Sequence, residues 1–287
     1  MSSAFTQPWS SFQPEEGYIL NLLIAVVAIM LILTITYRSS GGAPFLERCR
    51  VSSGRIARAM REVERKLFHI CLLIAPLIHI TLLEYAEWSN YECKRLVWSV
   101  AIAACLTDLL RLHSPGFMKV LESIGARRIM RKHEYEQLTG GFYMGIGVAT
   151  TMSIAPPSIS TAALLFLVLG DMSAAIIGVS FGGETVAVKL GRTGKKSVEG
   201  SAAMFCVCFV VGCILFLHVE LREYPVFFGS LAATLVELYE PLGINDNLTI
   251  PVISSLVMQW GFHRISHCAM PPATIFGTLL RKIFADM

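Results

Sequence analysis

Apolar residues along this chain fall into long blocks that are separated by short polar and charged stretches. Most blocks approach the roughly 20 residues that a helix needs to cross the hydrocarbon core of a bilayer. We predict that every block is an α-helix, because a helix satisfies its own backbone hydrogen bonds in lipid. The predicted spans cover residues 17–37, 67–83, 96–112, 139–155, 159–182, 200–218, 226–240 and 248–262.

The composition of the chain supports this interpretation. Of 287 residues, 54% are hydrophobic and 16% are charged, whereas about a quarter of the residues in a soluble domain are charged. The predicted fold class is all-α: a polytopic membrane protein with about eight (7–9) transmembrane helices in one bundle. A stretch at 273–285 would be a ninth span or an interfacial helix, and a tail at 1–16 precedes a single membrane domain at 17–287.

The basic residues of the loops alternate between the two sides of the predicted bundle. The loops at 38–66, 113–138 and 183–199 together hold seventeen lysines and arginines, and the three intervening loops hold three. This asymmetry is typical of the positive-inside rule. We therefore predict that the basic loops face the cytoplasm and that the N-terminus lies on the opposite side. Nothing in the sequence predicts a nucleic-acid partner, and the oligomeric state stays open.

One carboxylate interrupts the fifth block, in the sequence LGDMSAAIIGVSFGG at 169–183. Asp171 lies there among apolar and small residues. An ionisable residue inside a membrane span costs a few kcal/mol to insert and is by default a functional hypothesis. The small residues Gly170, Ala174, Gly178 and Gly182 repeat every four positions, so a neighbouring helix can approach closely on this side. The alternative is that these residues form only a packing seam.

Most other polar residues near the spans gather on the predicted cytoplasmic side. They are Arg65, Lys66 and His69, Asp108 and Arg111, Lys195 and Lys196, Glu237 and Glu240, and Asp246 and Asn247.

Each group also has a simpler interpretation. Arg65 and Lys66 could be topological anchors, and Asp108 could pair with Arg111 three residues further along one helix. The stretch 194–196 could be a solvated turn. Glu237 and its neighbour Glu240 could reach water from a helix end.

Taken together, these residues suggest a site for phosphoryl transfer. Lys195 and Lys196, with Arg65 and Lys66 opposite, could bind phosphate oxygens through charge-assisted hydrogen bonds. Carboxylate and amide oxygens are ligands that Mg²⁺ takes beside substrate phosphates. Phosphoryl transfer requires mainly positioning, charge neutralisation and an in-line nucleophile, which at a membrane would be a lipid hydroxyl. The predicted metal ligands are Asp171, Asp246 and Asn247.

The motifs of soluble nucleotide-binding enzymes are missing from the sequence. GRTGKKS, at 191–197, has the first glycine of a P-loop at the wrong spacing, and a lysine replaces the Ser or Thr after Gly-Lys. No protein-kinase motif set is present either. A kinase with this sequence would therefore be of a membrane type.

Four motifs resemble those of the membrane kinases that phosphorylate polyprenols and lipids with CTP. These kinases include dolichol kinase, phytol kinase and the CTP-dependent diacylglycerol kinase of yeast type, and they are related to the phosphatidate cytidylyltransferases. The best match is to the diacylglycerol kinases, and the resemblance covers roughly residues 60–262. The motifs are ERKLFH, GDMSAAIIGVSFG, KKSVEGS and NDNLTIPVISS.

The resemblance implies a role for individual residues of this chain. In one respect the chain departs from the diacylglycerol kinases. The residues before the aspartate are Leu169-Gly170, whereas the yeast-type enzyme has Trp-Ser there. At this position the chain is more similar to the dolichol and phytol kinases. The implied residues are the essential basic pair Arg65 and Lys66, the essential Asp171 and Gly178, the CTP-binding Lys196, Ser197 and Gly200, and the acidic-amide pair Asp246 and Asn247.

The function predicted from the residues and the resemblance is transfer of the γ-phosphate of CTP to diacylglycerol, with Mg²⁺ as cofactor. Asp171 would hold the metal or accept the hydroxyl proton, and both roles stay open. The alternatives are a CTP-dependent dolichol, polyprenol or phytol kinase, a phosphatidate cytidylyltransferase, and an ion-coupled transporter that uses Asp171. The expected location is the endoplasmic reticulum or nuclear envelope, with the site facing the cytoplasm.

Overall fold

The computed structural model describes residues 16–39, 51–123, 135–182, 189–190 and 196–267. Within these ranges the chain is almost entirely helical. The α-helices are α1 Glu16–Ser39, α2 Ser53–Leu67, α3 Ile74–Tyr85, α4 Asn90–His113, α5 Pro115–Ser123, α6 Gly140–Ile154, α7 Pro157–Leu165, α8 Asp171–Phe181, α9 Val198–Leu215, α10 Glu223–Tyr239 and α11 Asp246–His267.

Short irregular elements connect several of these helices. A 3₁₀-helix at Phe68–Leu73 joins α2 to α3, a π-helix at Phe166–Gly170 joins α7 to α8, and a 3₁₀-helix at Pro241–Gly243 follows α10. Two two-residue strands, β1 Lys189–Leu190 and β2 Lys196–Ser197, pair antiparallel. Several polar residues of the predicted site lie at or beside these short elements, among them Asp171 after the π-helix and Lys196 in β2.

The helices agree with the predicted blocks. Three of the described helical segments are long and apolar enough to cross a membrane: Asn90–His113, Pro157–Phe181 and Val198–Leu215. Shorter apolar segments lie at Gly17–Met30 and His69–Tyr85. The chain is therefore an all-α membrane protein, as the pattern of apolar blocks predicts. The number of spans stays a prediction, and the stretch 273–285 lies outside the described residues.

The predicted loop at 38–66 contains a helix. The sequence of helix α2 intersperses basic and apolar residues at the spacing typical of an amphipathic helix. Ala59, which is fully buried, packs in a small cluster with Val51, Ile56, Val179 and Phe181. The apolar side of α2 therefore contacts the C-terminal end of α8 and brings Lys66, near the end of α2, toward the segment that carries Asp171.

The segment Pro157–Phe181 forms the centre of the bundle. Residues 162–167 are completely buried, and they contact the surrounding helices α6, α9 and α11 within a single hydrophobic core. A helix that is buried on all sides is apolar on all sides, which explains the unbroken apolar block. A π-helix inserted in such a segment is a local irregularity that is frequent at functional sites, and here it directly precedes Asp171.

Gly170 allows the π-helix to approach α9 closely. A Cβ atom at this position would lie 2.5 Å from Sγ of Cys208 and 3.2 Å from Cγ of Met204, well inside normal contact distances. The small-residue stripe around Asp171 is therefore a real helix–helix contact, as predicted from its four-residue spacing.

We expect Gly170→Ala to destabilise the protein by about 1–3 kcal/mol, the usual cost of overpacking a well-packed core. Adding Cys208→Ala removes the sulfur atom in the way and should restore part of the loss. Gly145→Ala is the matched control, because its Cβ would meet no atom closer than 3.7 Å. Thermal unfolding of the detergent-solubilised variants measures the effect, and equal melting temperatures for the substitutions at 170 and 145 would contradict it.

Asp108 and Arg111 form the predicted pair on one face of α4. Nε of Arg111 donates to Oδ1 of Asp108 at 2.8 Å, and both side chains are buried. Asp108 also accepts a hydrogen bond from the backbone N–H of Thr139 at 2.9 Å, and Arg111 donates to the backbone oxygen of Gln137 at 2.9 Å. Because Thr139 caps α6, the pair fastens the end of α4 to the start of α6 and has a structural role.

Candidate functional site

The polar residues singled out in the sequence lie where five helices begin or end. Lys66 is one residue from the end of α2, and Asp171 is the first residue of α8. Lys196 lies in β2 just before α9, Glu237 lies two residues before the end of α10, and Asp246 begins α11. Asp171 continues the helical segment Pro157–Phe181 directly after the π-helix, whereas the other positions are at or near helix ends, which leave backbone groups unsatisfied and suit charged ligands. The fold thus gathers residues that are far apart in sequence.

The first contact of the site is a buried ion pair between Lys66 and Asp171. The Lys66 ammonium donates to Oδ1 of Asp171 and also to the backbone oxygen of Asp171, the latter at 2.7 Å. Lys66 is 9% exposed and Asp171 is 5% exposed. A buried charge is tolerated when it is paired and hydrogen-bonded, so each residue explains how the other can lie inside the bundle.

The second contact is an ion pair between Lys196 and Glu237. The Lys196 ammonium donates to Oε1 of Glu237, and it lies 3.7 Å from Oε1 of Glu240. Burial alone would lower the pKa of Lys196, but the charge and hydrogen bond of Glu237 outweigh burial and raise it above its ordinary value. The ammonium is therefore retained as a cation at neutral pH.

The two ion pairs belong to one electrostatic cluster. Asp171 interacts electrostatically with Lys196 as well as with Lys66, and Glu237 interacts with both Asp171 and Lys66. Asp246, two residues before the predicted eighth span, has its pKa raised by burial and then by the neighbouring charge of Asp171.

The cluster contains more anions than cations among the described side chains. Its carboxylates are Asp171, Glu237, Glu240 and Asp246, whereas the ammonium groups that interact with them are Lys66 and Lys196. Within the described ranges, Asp246 forms no ion pair or side-chain hydrogen bond. Asp171 and Glu237 are buried and the other two carboxylates are partly exposed; an excess of carboxylates over ammonium groups favours the binding of a cation.

His69 and Asn247 connect the 3₁₀-helix after α2 with the start of α11. Nε2 of His69 lies 3.0 Å from Oδ1 of Asn247. The other ring nitrogen of His69 is buried and has no hydrogen-bond partner among the described residues. Because His69 also interacts with the charge of Asp171, this contact brings Asn247 and the neighbouring Asp246 to the edge of the same cluster.

The predicted nucleotide-loop residues lie at the crossing of α8 and α9. The hydroxyl oxygen of Ser197 caps α9 by accepting from the backbone N–H of Gly200 at 3.1 Å. A Cβ at Gly200 would lie 2.9 Å from the backbone oxygen of Ala174, and one at Gly178 would lie 3.2 Å from Oγ of Ser197. The glycines therefore let β2 and the start of α9 lie directly against α8.

The structure brings Lys66, Asp171, Lys196, Asp246 and Asn247 together. For two of the predicted residues the structure gives no side-chain position: Lys195 lies outside the described residues, and so does the side chain of Arg65, whose backbone is part of α2. No group of three or more His, Cys, Asp or Glu side chains in the described ranges is arranged to hold a metal ion. The predicted ligand set includes only two carboxylates and an amide, and it stays a prediction.

Three members of the cluster, Glu237, Glu240 and His69, are not among the predicted site residues. The simpler interpretation of Glu237, a helix-end residue that reaches water, does not hold, because Glu237 is 4% exposed and paired with Lys196. The available signal was its place inside the apolar block 226–240, the same signal that identified Asp171. His69 was noted only as a polar neighbour of Lys66, and its contact with Asn247 spans 178 positions of sequence.

The fold and the site together define the class of this molecule: an all-α membrane protein with a buried ionic cluster at its helix ends. Comparison with known proteins finds relatives of similar sequence that share one name. The chain is 29% identical over 224 residues to "CTP-dependent diacylglycerol kinase 1" of Saccharomyces cerevisiae, covering 69% of this chain and 72% of that protein. It is 27% identical over 221 residues to the protein of the same name from Eremothecium gossypii, covering 69% of this chain and 66% of that protein.

A third relative of that name, from Schizosaccharomyces pombe, is 25% identical to this chain over 213 residues. The alignment covers 69% of this chain and 92% of that protein. These matches confirm the resemblance to the yeast-type diacylglycerol kinases that the motifs indicate. No family profile matches the chain. No solved structure matches it either.

Proposed function

We propose that this protein is a membrane lipid kinase that transfers the γ-phosphate of CTP to the hydroxyl of diacylglycerol and produces phosphatidate and CDP. The single observation that carries the proposal is the cluster in which Lys66, Asp171, Lys196 and Asp246 meet. These residues come from four separate sequence motifs. The names of the three fungal relatives support both the nucleotide and the lipid.

The cations of the site would bind the triphosphate. Lys196 lies in β2 beside the cluster, and the adjacent Lys195 and the basic pair Arg65 and Lys66 complete the predicted set. Ammonium and guanidinium groups form charge-assisted hydrogen bonds with phosphate oxygens. Ser197, Gly178 and Gly200 would shape the loop, since the capping hydroxyl and the two glycines bring the backbone before α9 against α8.

The ligand chemistry of the cluster fits a divalent cation. Asp171 and Asp246 supply carboxylate oxygens, Asn247 supplies an amide oxygen, and the described carboxylates outnumber the ammonium groups. Hard oxygen ligands of this kind, few in number, are what Mg²⁺ takes when phosphates and waters complete its shell. When bound, Mg²⁺ would neutralise charge on the phosphates of the nucleotide.

The reaction itself needs little covalent chemistry from the protein. The lipid hydroxyl oxygen attacks the γ-phosphorus, the bond from that phosphorus to the β-phosphate oxygen breaks, and CDP leaves with the electron pair. The hydroxyl proton is released, with Asp171 as the proposed acceptor if it does not hold the metal. Lys66 already donates to Oδ1 of Asp171, and a carboxylate has further lone pairs on both oxygens for either role.

The proposed location is the endoplasmic reticulum or the nuclear envelope, with the site facing the cytoplasm. The seventeen-to-three distribution of basic residues between the two sets of loops supports that orientation. About eight spans, within a single domain that follows the N-terminal tail, stay part of the proposal.

Labelled CTP tests the reaction. Purified protein should transfer the label of γ-labelled CTP to diacylglycerol in the presence of Mg²⁺ and should transfer none from α-labelled CTP. Label from the α position in the lipid would instead indicate a cytidylyltransferase, and no transfer to any lipid hydroxyl would overturn the kinase proposal. ATP in place of CTP serves as the control for nucleotide choice.

The lipid acceptor needs its own measurement. Leu169-Gly170 resembles the dolichol and phytol kinases at this position, and Gly170 packs against Cys208 and Met204 of α9. We expect diacylglycerol to be the preferred acceptor in a panel that also contains dolichol and phytol. A preference for either isoprenoid alcohol would change the substrate but keep the kinase chemistry.

A further inference from the structure

Glu237 is a buried carboxylate that the proposed reaction does not yet use. It is 4% exposed, and its Oε1 accepts a hydrogen bond from the ammonium of Lys196. A carboxylate buried near a span end needs a partner to compensate the loss of water. Lys196 is that partner, so the position of one residue depends on the other.

Both ends of the Lys196 side chain are held. Its backbone lies in β2 opposite Leu190, and the next residue, Ser197, caps α9. Its ammonium is held by Glu237 from α10. A free lysine side chain samples many rotamers, whereas fixing both ends restricts the ammonium to one position.

Glu240 differs from Glu237 although it lies one helical turn away. Its carboxylate is 3.7 Å from the Lys196 ammonium, and its side chain is 34% exposed against 5% for Glu237. An exposed pair at this distance is weak because water screens it. Glu240 therefore adds negative charge near Lys196, whereas Glu237 holds it in place.

We propose that Glu237 is a positioning residue, which orients the Lys196 ammonium toward the phosphates of the nucleotide. This inference rests on the proposed function, because Lys196 is there a ligand of the triphosphate. Glu237 acts through Lys196 and does not itself contact substrate. A mobile ammonium still attracts an anionic nucleotide, but it no longer lies where charge develops during transfer.

The test compares Glu237→Gln with Glu240→Gln, since each substitution removes one negative charge near Lys196. We expect Glu237→Gln to lower kcat about tenfold or more relative to Glu240→Gln, with the KM for CTP changed by less than about threefold. Because a loss of folded protein would also lower the apparent kcat at unchanged KM, kcat is calculated per folded protein, quantified in the same samples. Melting temperatures in detergent, measured on the same samples, establish that both variants are folded.

Glu237→Asp provides a second measurement that keeps the buried charge and hence the fold. It retracts the carboxylate by one methylene, so kcat should again fall while the melting temperature stays near that of the wild type. Equal kcat values for the substitutions at 237 and 240, or wild-type kcat in Glu237→Asp, would overturn the positioning role. Absence of CTP-dependent transfer by the wild-type protein would instead overturn the proposed function, so the two failures are distinguishable.

Discussion

Asp171→Asn should abolish CTP-dependent phosphorylation, lowering the rate by about 10³-fold or more, which corresponds to about 4 kcal/mol of transition-state stabilisation. Asparagine keeps the size of the side chain and one acceptor oxygen. It removes the charge that either of the proposed roles of Asp171, metal ligand or proton acceptor, requires. The ammonium of Lys66 retains its 2.7 Å hydrogen bond to the backbone oxygen of residue 171 but loses its anion, so we also expect a loss of stability of up to about 3–5 kcal/mol. The rate is therefore measured per folded protein.

The partner residue provides the control for stability. Lys66→Met leaves Asp171 as a buried charge without its cation, and breaking a buried pair in this way costs about 3–5 kcal/mol. The double variant Lys66→Met/Asp171→Asn removes both charges and should regain most of that stability while remaining inactive. Thermal unfolding in detergent and transfer from γ-labelled CTP measure the two properties separately. Substantial activity in Asp171→Asn or in the double variant would contradict a catalytic role for the pair.

The helices that cross the apolar core could be predicted because lipid and a buried core impose the same requirement. Both demand long unbroken apolar segments, so Pro157–Phe181 is visible in sequence as one block. Helix α2 was missed because an amphipathic helix has no such block. Its contact with Val179 and Phe181 involves few apolar residues, among them Ala59 and Ile56, and this pairing depends on where the chain returns more than 100 positions later.

The candidate site was predictable in part, for a related reason. A carboxylate inside an apolar block stands out, and that identified Asp171. Lys66 is also among the predicted site residues, but as a ligand of phosphate and with a topological anchor as the alternative; its ion pair with Asp171 is not part of the prediction. Only packing of α2 against α8 decides between the two, and the contact joins residues 105 positions apart.

Glu237 shows where sequence reasoning fails in the opposite direction. A carboxylate near a helix end reaches water when that end is exposed, and it needs a cation when the end packs against a neighbour. The choice depends on the approach of β2 and α9, which bring Lys196 to it across 41 positions. Periodicity within α10 carries no information about that approach.

Asp246→Asn should separate activity from stability, because we expect activity to fall without a loss of thermal stability. Burial and the charge of Asp171 both raise the pKa of Asp246 and so disfavour its charged form. Within the described ranges no cation is paired with it. A neutral amide relieves this repulsion, so the melting temperature should stay the same or rise, as is common where a strained functional residue is replaced.

The activity of the same variant should depend on the metal concentration. If Asp246 is a ligand of Mg²⁺, its loss should raise the half-saturating Mg²⁺ concentration about tenfold or more and lower the rate about 100-fold at limiting Mg²⁺, with partial recovery at high Mg²⁺. A chelator should abolish activity in the wild type. Glu240→Gln, which removes a more exposed carboxylate of the same cluster, should leave the Mg²⁺ dependence much closer to that of the wild type. An unchanged Mg²⁺ dependence in Asp246→Asn would remove Asp246 from the proposed ligands. The reason to expect a change is that a bound cation would compensate the repulsion between Asp246 and Asp171, which makes the charged form of Asp246 unfavourable in the unliganded protein.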